Sequence, residues 1–272
     1  MNNIEGFHLY LVNQGLSPNT IKNYMSDLRL LSQLGINSDT ASVLKSANNR
    51  STSTINRMLS TLRRYGEYKG IDLVKDADFI KSQPVTSAPD TVSKLQVMSF
   101  LKELKKYNSY RNYCIAVVIV NTGLRISECL NLRLSDLGEL DRGEISIIGK
   151  GNKQRFVSLN ESVIEVLKYY LKHERIKFKY ASVSDYVFVS KKGCKLDPST
   201  IQKIFKYWSV GSIHPHMLRH VFATNACESG LLNLRQLQEQ LGHSNLTTVQ
   251  KYTHPSRKAM REALNSKEGS FR

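Results

Sequence analysis

EISIIGKGNKQRFVSL, residues 144–159, interrupts a chain whose other patterns are helical. Its two halves are short, β-rich runs, and GKGNK between them, residues 149–153, supplies the glycines and asparagine of a hairpin turn. Before the hairpin, apolar residues recur at helical spacing over roughly 93–107, 110–121 and 125–132. After it come a helix near 161–176, a strand at YVFVS (186–190) and a helix near 198–208. Four short helices follow, at about 215–229, 233–241, 246–252 and 256–265. The expected fold class is therefore mainly α with a small antiparallel β-sheet.

Residues 1–81 read as helical throughout. IEGFHLYLV sets Ile4, Phe7, Leu11 and Val12 on one face, and Gly15 ends that helix. Ser17 caps the next, with Pro18 in its first turn, apolar positions at Ile21, Tyr24, Met25, Leu28 and Leu31, and an end at Gly35. A short helix near 39–47 precedes STSTINRMLSTLRRYGEYKG, which turns Ile55, Met58, Leu59 and Leu62 inward and carries Arg57, Arg63, Arg64 and Lys69 on its other faces. SQPVTSAPDTVS, residues 82–93, has the prolines and small polar residues of a linker. The chain thus divides into domains at 1–81 and 93–272 joined through 82–92, with a tail helix at 256–265.

Composition narrows the partners. The 272 residues hold 39 Lys+Arg against 23 Asp+Glu, a net charge of +16. Up to residue 81, ten cations against seven acids leave +3; beyond it, 29 against 16 leave +13. Such an excess is self-repelling unless an anionic partner relieves it, and nucleic acid is the usual one. An ordinary basic surface kept for solubility is the plainer account of charge alone. No long uncharged apolar run reads as a membrane span, and the N-terminus lacks a secretory pattern, so a cytoplasmic protein is expected. Cys114, Cys129, Cys194 and Cys227 form no C-x-x-C pair and read as simple thiols rather than zinc ligands or disulfides.

Several side chains carry possible chemistry, each weak alone. Arg125 has Glu128 one turn on, where a carboxylate can orient a guanidinium. Lys150 occupies the hairpin turn. HPHMLRHVFAT holds His214, His216, Arg219 and His220, with His216 and Arg219 sharing a helical face. Three histidines invite a metal, but H-E-x-x-H is absent and no metal is expected. LGHSNLTTVQKYTH has His243 and, nine residues on, Tyr252. Together they form a cationic set with a phenol, suited to phosphoryl transfer without a metal. Guanidiniums stabilise a five-coordinate phosphorus, a lysine protonates the leaving oxygen, and a histidine takes the nucleophile's proton. A tyrosine stores the phosphodiester as an ester, so resealing needs no ATP and no cofactor.

In order and spacing, TGLRISECLNL, IIGKGNKQRFVSL, HPHMLRHVFAT and LGHSNLTTVQKYTH resemble the tyrosine recombinase/integrase family of phage integrases, Xer proteins and Cre. GLSPNTIKNYMSDL resembles that family's helical core-binding domain, so the likeness covers nearly the whole chain. The resemblance implies a SAM-like core-binding domain and a catalytic domain of the DNA breaking-rejoining fold, clamped around duplex DNA. It assigns Arg125 and Arg219 to the scissile phosphate, Lys150 to the 5′-oxygen as general acid, and His216 to the tyrosine proton. His243 supports the phosphate, Glu128 stands behind the arginines, and Tyr252 attacks to leave a 3′-phosphotyrosyl link. A partner duplex's hydroxyl then attacks to give a Holliday junction. Lys22, Arg57, Arg63, Arg64, Lys153 and Arg155 are the candidate DNA contacts. A homodimer per site and a homotetramer in synapsis, formed alone or with a related recombinase, are the expected assemblies, with the tail helix docking on a neighbour. Integration or excision of a mobile element and resolution of DNA dimers all fit. The rivals are a type IB topoisomerase, a hairpin-forming telomere resolvase, a DNA-binding relative without the chemistry, and an RNA-binding scaffold that would leave the tyrosine and arginine arrangement unexplained.

Overall fold

A computed structural model of the chain describes residues 2–33, 44, 50–81, 92–149, 154–209 and 213–242. It divides into two compact units, Met1–Ala88 and Pro89–Arg272.

The first unit packs α1 (Asn2–Asn13), α2 (Pro18–Gln33) and α3 (Thr52–Lys69) on one another. Phe7, Leu11, Ile21, Met25 and Leu28 form one apolar cluster, and Leu31, Ile55, Met58, Leu59 and Leu62 another. The boundaries follow from local chemistry. Gly15 takes a left-handed φ of 68° after α1. The Ser17 hydroxyl accepts the Thr20 N–H at 3.2 Å, and the Ser51 hydroxyl accepts the Thr54 N–H at 3.3 Å; each cap contributes about 1 kcal/mol. Val12, expected inward, is 46% exposed, and Tyr10 packs beside Phe7 instead. The expected helix at 39–47 lies outside the described residues apart from Leu44, which is buried.

The second unit is built around α5 (Tyr110–Thr122), whose residues from Arg111 to Ile119 are buried on nearly every side. A helix apolar all round must be enclosed. Around it stand α4 (Lys94–Tyr107), α7 (Glu161–Tyr169) and α9 (Pro215–Glu228). Short α6 (Ile126–Asn131) follows α5 directly, α8 (Pro198–Trp208) packs on α4, α6 and α9, and α10 (Leu234–Leu241) packs on α9 and the sheet. The sheet is one antiparallel pair, β1 (Glu144–Ile148) and β2 (Gln154–Ser158), with Ile147 opposite Arg155 and Ile145 opposite Val157. The Gln240 amide both accepts from the Ser158 N–H (3.1 Å) and donates to the Ser158 carbonyl (2.9 Å), which fastens α10 to β2.

Two segments depart from their periodicity. YVFVS makes only isolated bridges, Arg133 with Tyr186 and Val189 with Lys195, rather than a strand. Val187, Phe188 and Val189 are all fully buried, and the Arg175 guanidinium takes the carbonyls of Ser184, Tyr186 and Val187 that a neighbouring strand would use. The expected helix at 161–176 is regular only to Tyr169, then widens into a π-turn over Tyr170–Glu174. Residues five apart lie on different faces of an α-helix, and an i→i+5 turn brings Tyr170 and Arg175 inward together. Among the described residues no helix is long and apolar enough to cross a membrane. The expected linker at 82–92, except Val92, and the helices at 246–252 and 256–265 lie outside the described residues.

Candidate active site

The site begins where α5 stops. Gly123 ends the helix at φ 69°, and a β-carbon there would stand 2.5 Å from the side chains of Phe222 and Leu241. Only glycine lets α5, α9 and α10 converge at this point. The turn delivers Arg125 to the head of α6. The Glu128 carboxylate, in the first turn of α6, accepts the Arg125 N–H at 2.9 Å and its guanidinium at 3.0 Å. A carboxylate at a helix N-terminus is also favoured by the helix dipole.

Arg219 reaches the same place from α9. Its side chain is 3% exposed and donates to the Gly123 carbonyl at 2.6 Å and the Leu241 carbonyl at 2.9 Å. Arg125 also donates to Leu241, at 3.4 Å. Leu241 closes α10, so its carbonyl belongs to the electronegative helix end and can accept from both guanidiniums. Arg219 stands 3.9 Å from the Glu128 carboxylate. Arg125 is thus held by the Glu128 carboxylate and Arg219 by the Gly123 carbonyl, and the two share the Leu241 carbonyl.

Arg155 on β2, expected among the DNA contacts, is turned inward. Its terminal nitrogens each lie 3.1 Å from a different oxygen of Glu128, and its side chain is 16% exposed. Three guanidiniums therefore gather round one carboxylate, and the cluster is net positive. Burial by itself would raise the Glu128 pKa; the Arg155 hydrogen bonds, the Arg125 N–H and the two charges outweigh it and hold the pKa below the ordinary carboxylate value.

The arginines open onto a cleft of about 690 Å³ lined by Arg125, Ser127, Lys206, His214, His216 and Arg219 among others. His216 Nε2 lies 3.1 Å from His220 Nε2. Partial loss of water, then the charges of Arg219, His214 and Arg125, lower its pKa, which favours the uncharged imidazole, the form that can accept a proton. His214 plays a structural part, since its Nδ1 accepts the Met217 N–H at 3.2 Å and caps α9. Lys206 and Ser127 line the cleft without having been singled out in the sequence, where lysines and serines give no distinguishing pattern. Lys150, Lys153, His243 and Tyr252 lie outside the described residues. Among the described residues, no group of three His, Cys, Asp or Glu is placed to hold a metal.

The four candidate DNA contacts of the first unit sit differently. Lys22 is exposed. Arg57 meets the buried Asp27, Arg63 meets Asp76 at 2.7 Å, and Arg64 meets Glu67 at 2.7 Å, with the arginine side chains between about a third and a half exposed.

Residues 91–259 match the sequence pattern of the phage integrase family. The TnP I resolvase of Bacillus thuringiensis is 35% identical over 95% of this chain and 97% of its own length. Tyrosine recombinase XerD of Staphylococcus saprophyticus is 33% identical over 93% of each chain. Among solved structures, a XerH site-specific recombinase bound to a palindromic difH substrate in a post-cleavage complex superposes with a TM-score of 0.69 at 26% identity, covering 91% of this chain and 80% of that one. The chain belongs to the phage integrase family and is a site-specific tyrosine recombinase, an enzyme acting on DNA.

Proposed function

We propose that this recombinase cuts and rejoins duplex DNA through Tyr252. Its phenol oxygen attacks the scissile phosphorus as the bond to the 5′-oxygen breaks, leaving a 3′-phosphotyrosyl ester and a free 5′-hydroxyl. Arg125 and Arg219 bind the non-bridging oxygens and stabilise the charge of the five-coordinate state. Lys150 protonates the leaving oxygen, His216 accepts the phenol's proton, and His243 supports the phosphate. A 5′-hydroxyl from a second duplex then reverses the chemistry, giving a Holliday junction that a second round resolves. The observation that carries this reading is the holding of Arg125 by Glu128, and of both Arg125 and Arg219 by the Leu241 carbonyl, at a cleft that His216 also lines.

The first unit is read as the core-binding domain, with Lys22, Arg57, Arg63 and Arg64 toward phosphates and Lys153 adding a contact from the hairpin. The XerH complex on a palindromic site supports a dimer per site, since two-fold sites mirror two-fold proteins. A tetramer in synapsis follows from the strand exchange itself, and the cytoplasm is the compartment proposed. The biological role is integration, excision or dimer resolution.

Covalent trapping tests the chemistry. The full chain and Tyr252→Phe are incubated with a pool of nicked, randomised duplexes, stopped with SDS, and the adducts counted and sequenced. Adducts from the wild type alone are expected, and their sequences identify the site. Equal adducts from both would remove Tyr252 from its role.

A further inference from the structure

Arg155 is the one member of the arginine cluster with no place in the chemistry above, and its surroundings are built for it. On β2 it shares a face with the fully buried Val157, so the strand's own alternation turns it inward. Its guanidinium spans both oxygens of Glu128, the paired planar contact that arginine makes and lysine cannot. Gly242 leaves the room: a β-carbon there would stand 2.6 Å from the guanidinium carbon. Glu128 in turn holds Arg125 by backbone and side chain.

The acceptor count gives this contact a consequence. Each Glu128 oxygen accepts one bond from Arg155 and one from Arg125. Arg219, 3.9 Å away, is beyond hydrogen-bond distance of the carboxylate and donates instead to the Gly123 and Leu241 carbonyls. Without Arg155, two lone pairs of a buried carboxylate would be unmet beside Arg219 and Arg125, and both would be drawn toward them. We propose that Arg155 is a positioning residue: it satisfies Glu128 so that this carboxylate orients Arg125 without capturing Arg219, keeping both guanidiniums directed to phosphate. This rests on the reading that Arg125 and Arg219 bind the scissile phosphate.

The test uses full-length Arg155→Gln, Arg155→Lys and Arg125→Gln, with protein in excess over the nicked randomised duplex pool. The rate of adduct formation is measured against pH, alongside DNA affinity against salt. Arg155→Gln is expected to slow adduct formation on the order of 10- to 100-fold, the loss typical when a group orienting an active-site ligand is removed. DNA affinity and its salt slope stay unchanged. Its rate also gains a dependence on pH in the carboxylate range, because Glu128 has lost its main hydrogen-bonding partner; the wild type lacks that dependence. Arg155→Lys retains the charge and falls between the two.

Should Arg155→Gln not fold, Arg155→Lys carries the test: a slower rate at wild-type melting temperature and affinity supports the role, and a wild-type rate overturns it. Weakened binding with a salt slope reduced by about one, at an unchanged rate, would make Arg155 a phosphate contact instead. If Arg125→Gln reacts like the wild type, the underlying site reading fails. If Arg125→Gln is inactive while Arg155→Gln keeps the wild-type rate, only the positioning role fails.

Discussion

Arginine meets carboxylate in both units, and the two settings do opposite things. In the second unit Glu128 is 7% exposed and serves Arg125, Arg155 and, at longer range, Arg219. There one buried acid holds several cations in fixed directions around a cleft. In the first unit Arg63 and Arg64 each pair with one acid whose side chain is itself exposed, 97% at Asp76 and 43% at Glu67. Pairs of that kind contribute about 0–1 kcal/mol and are screened by salt. A phosphate can replace Asp76 or Glu67 at little cost, whereas nothing replaces Glu128 without rearranging the arginines. A buried acid shared by several arginines at a cleft, rather than burial alone, therefore separates arginines suited to stabilising a reacting phosphate from arginines suited to holding a DNA backbone.

Removing the buried acid has the largest expected effect. Glu128→Gln leaves Arg155 and Arg219 buried without their counter-charge and is predicted to cost about 3–5 kcal/mol of unfolding free energy, read by denaturant unfolding. Because the folded pKa of Glu128 lies below the ordinary 4.5, its contribution is complete above that value and is lost as pH falls through the lowered folded value. The gap between wild type and variant should hold steady from neutrality to about pH 5 and shrink below it. A gap that widens on acidification would break the account of the cluster.

Arg57 probes the intermediate case. Its partner Asp27 is buried and also accepts the Thr61 hydroxyl at 3.2 Å, but Arg57 itself is 45% exposed. Arg57→Gln is predicted to cost about 1–2 kcal/mol, the range for hydrogen bonds to a charged group less the effect of solvent. Thermal unfolding measures it; a loss as large as that of Glu128→Gln would erase the contrast between the units. Arg64→Gln has the smallest expected effect on folding, within about 0.5 kcal/mol. It should still lower the salt slope of DNA binding by about one. An unchanged slope would remove Arg64 from the interface.

Much of the fold is legible in the sequence because local chemistry and tertiary packing agree. Asp197 followed by Pro198 starts α8, and its apolar spacing carries the helix to Trp208 as expected. YVFVS departs for the converse reason: its Tyr186 and Val187 carbonyls are taken by the side chain of Arg175, a partner that periodicity cannot see. At the site, spacing brings Arg125 to Glu128 and His216 to Arg219's face. Arg155 is expected among the DNA contacts, and in the structure its guanidinium is turned inward onto Glu128. Its position two residues before Val157 is the available signal, since alternate strand residues share a face. The Leu241 carbonyl has no sequence signal beyond the glycine that follows it, because a helix-end carbonyl acquires its partners only when α9 and α10 meet.

The contrast between the units is tested most directly by comparing Arg219→Lys with the double variant Arg63→Gln/Arg64→Gln in one experiment. Adduct formation is timed with protein in excess over the nicked duplex pool, and affinity is measured on the same DNA. Arg219→Lys keeps the charge but loses the planar fork, and is predicted to lower the adduct rate by about 10²- to 10³-fold at nearly unchanged affinity. The double variant is predicted to bind more weakly and, once saturated, to react at the wild-type rate. An Arg219→Lys variant that binds weakly yet reacts normally when saturated would contradict the claim that the arginines gathered round Glu128 are the reacting ones.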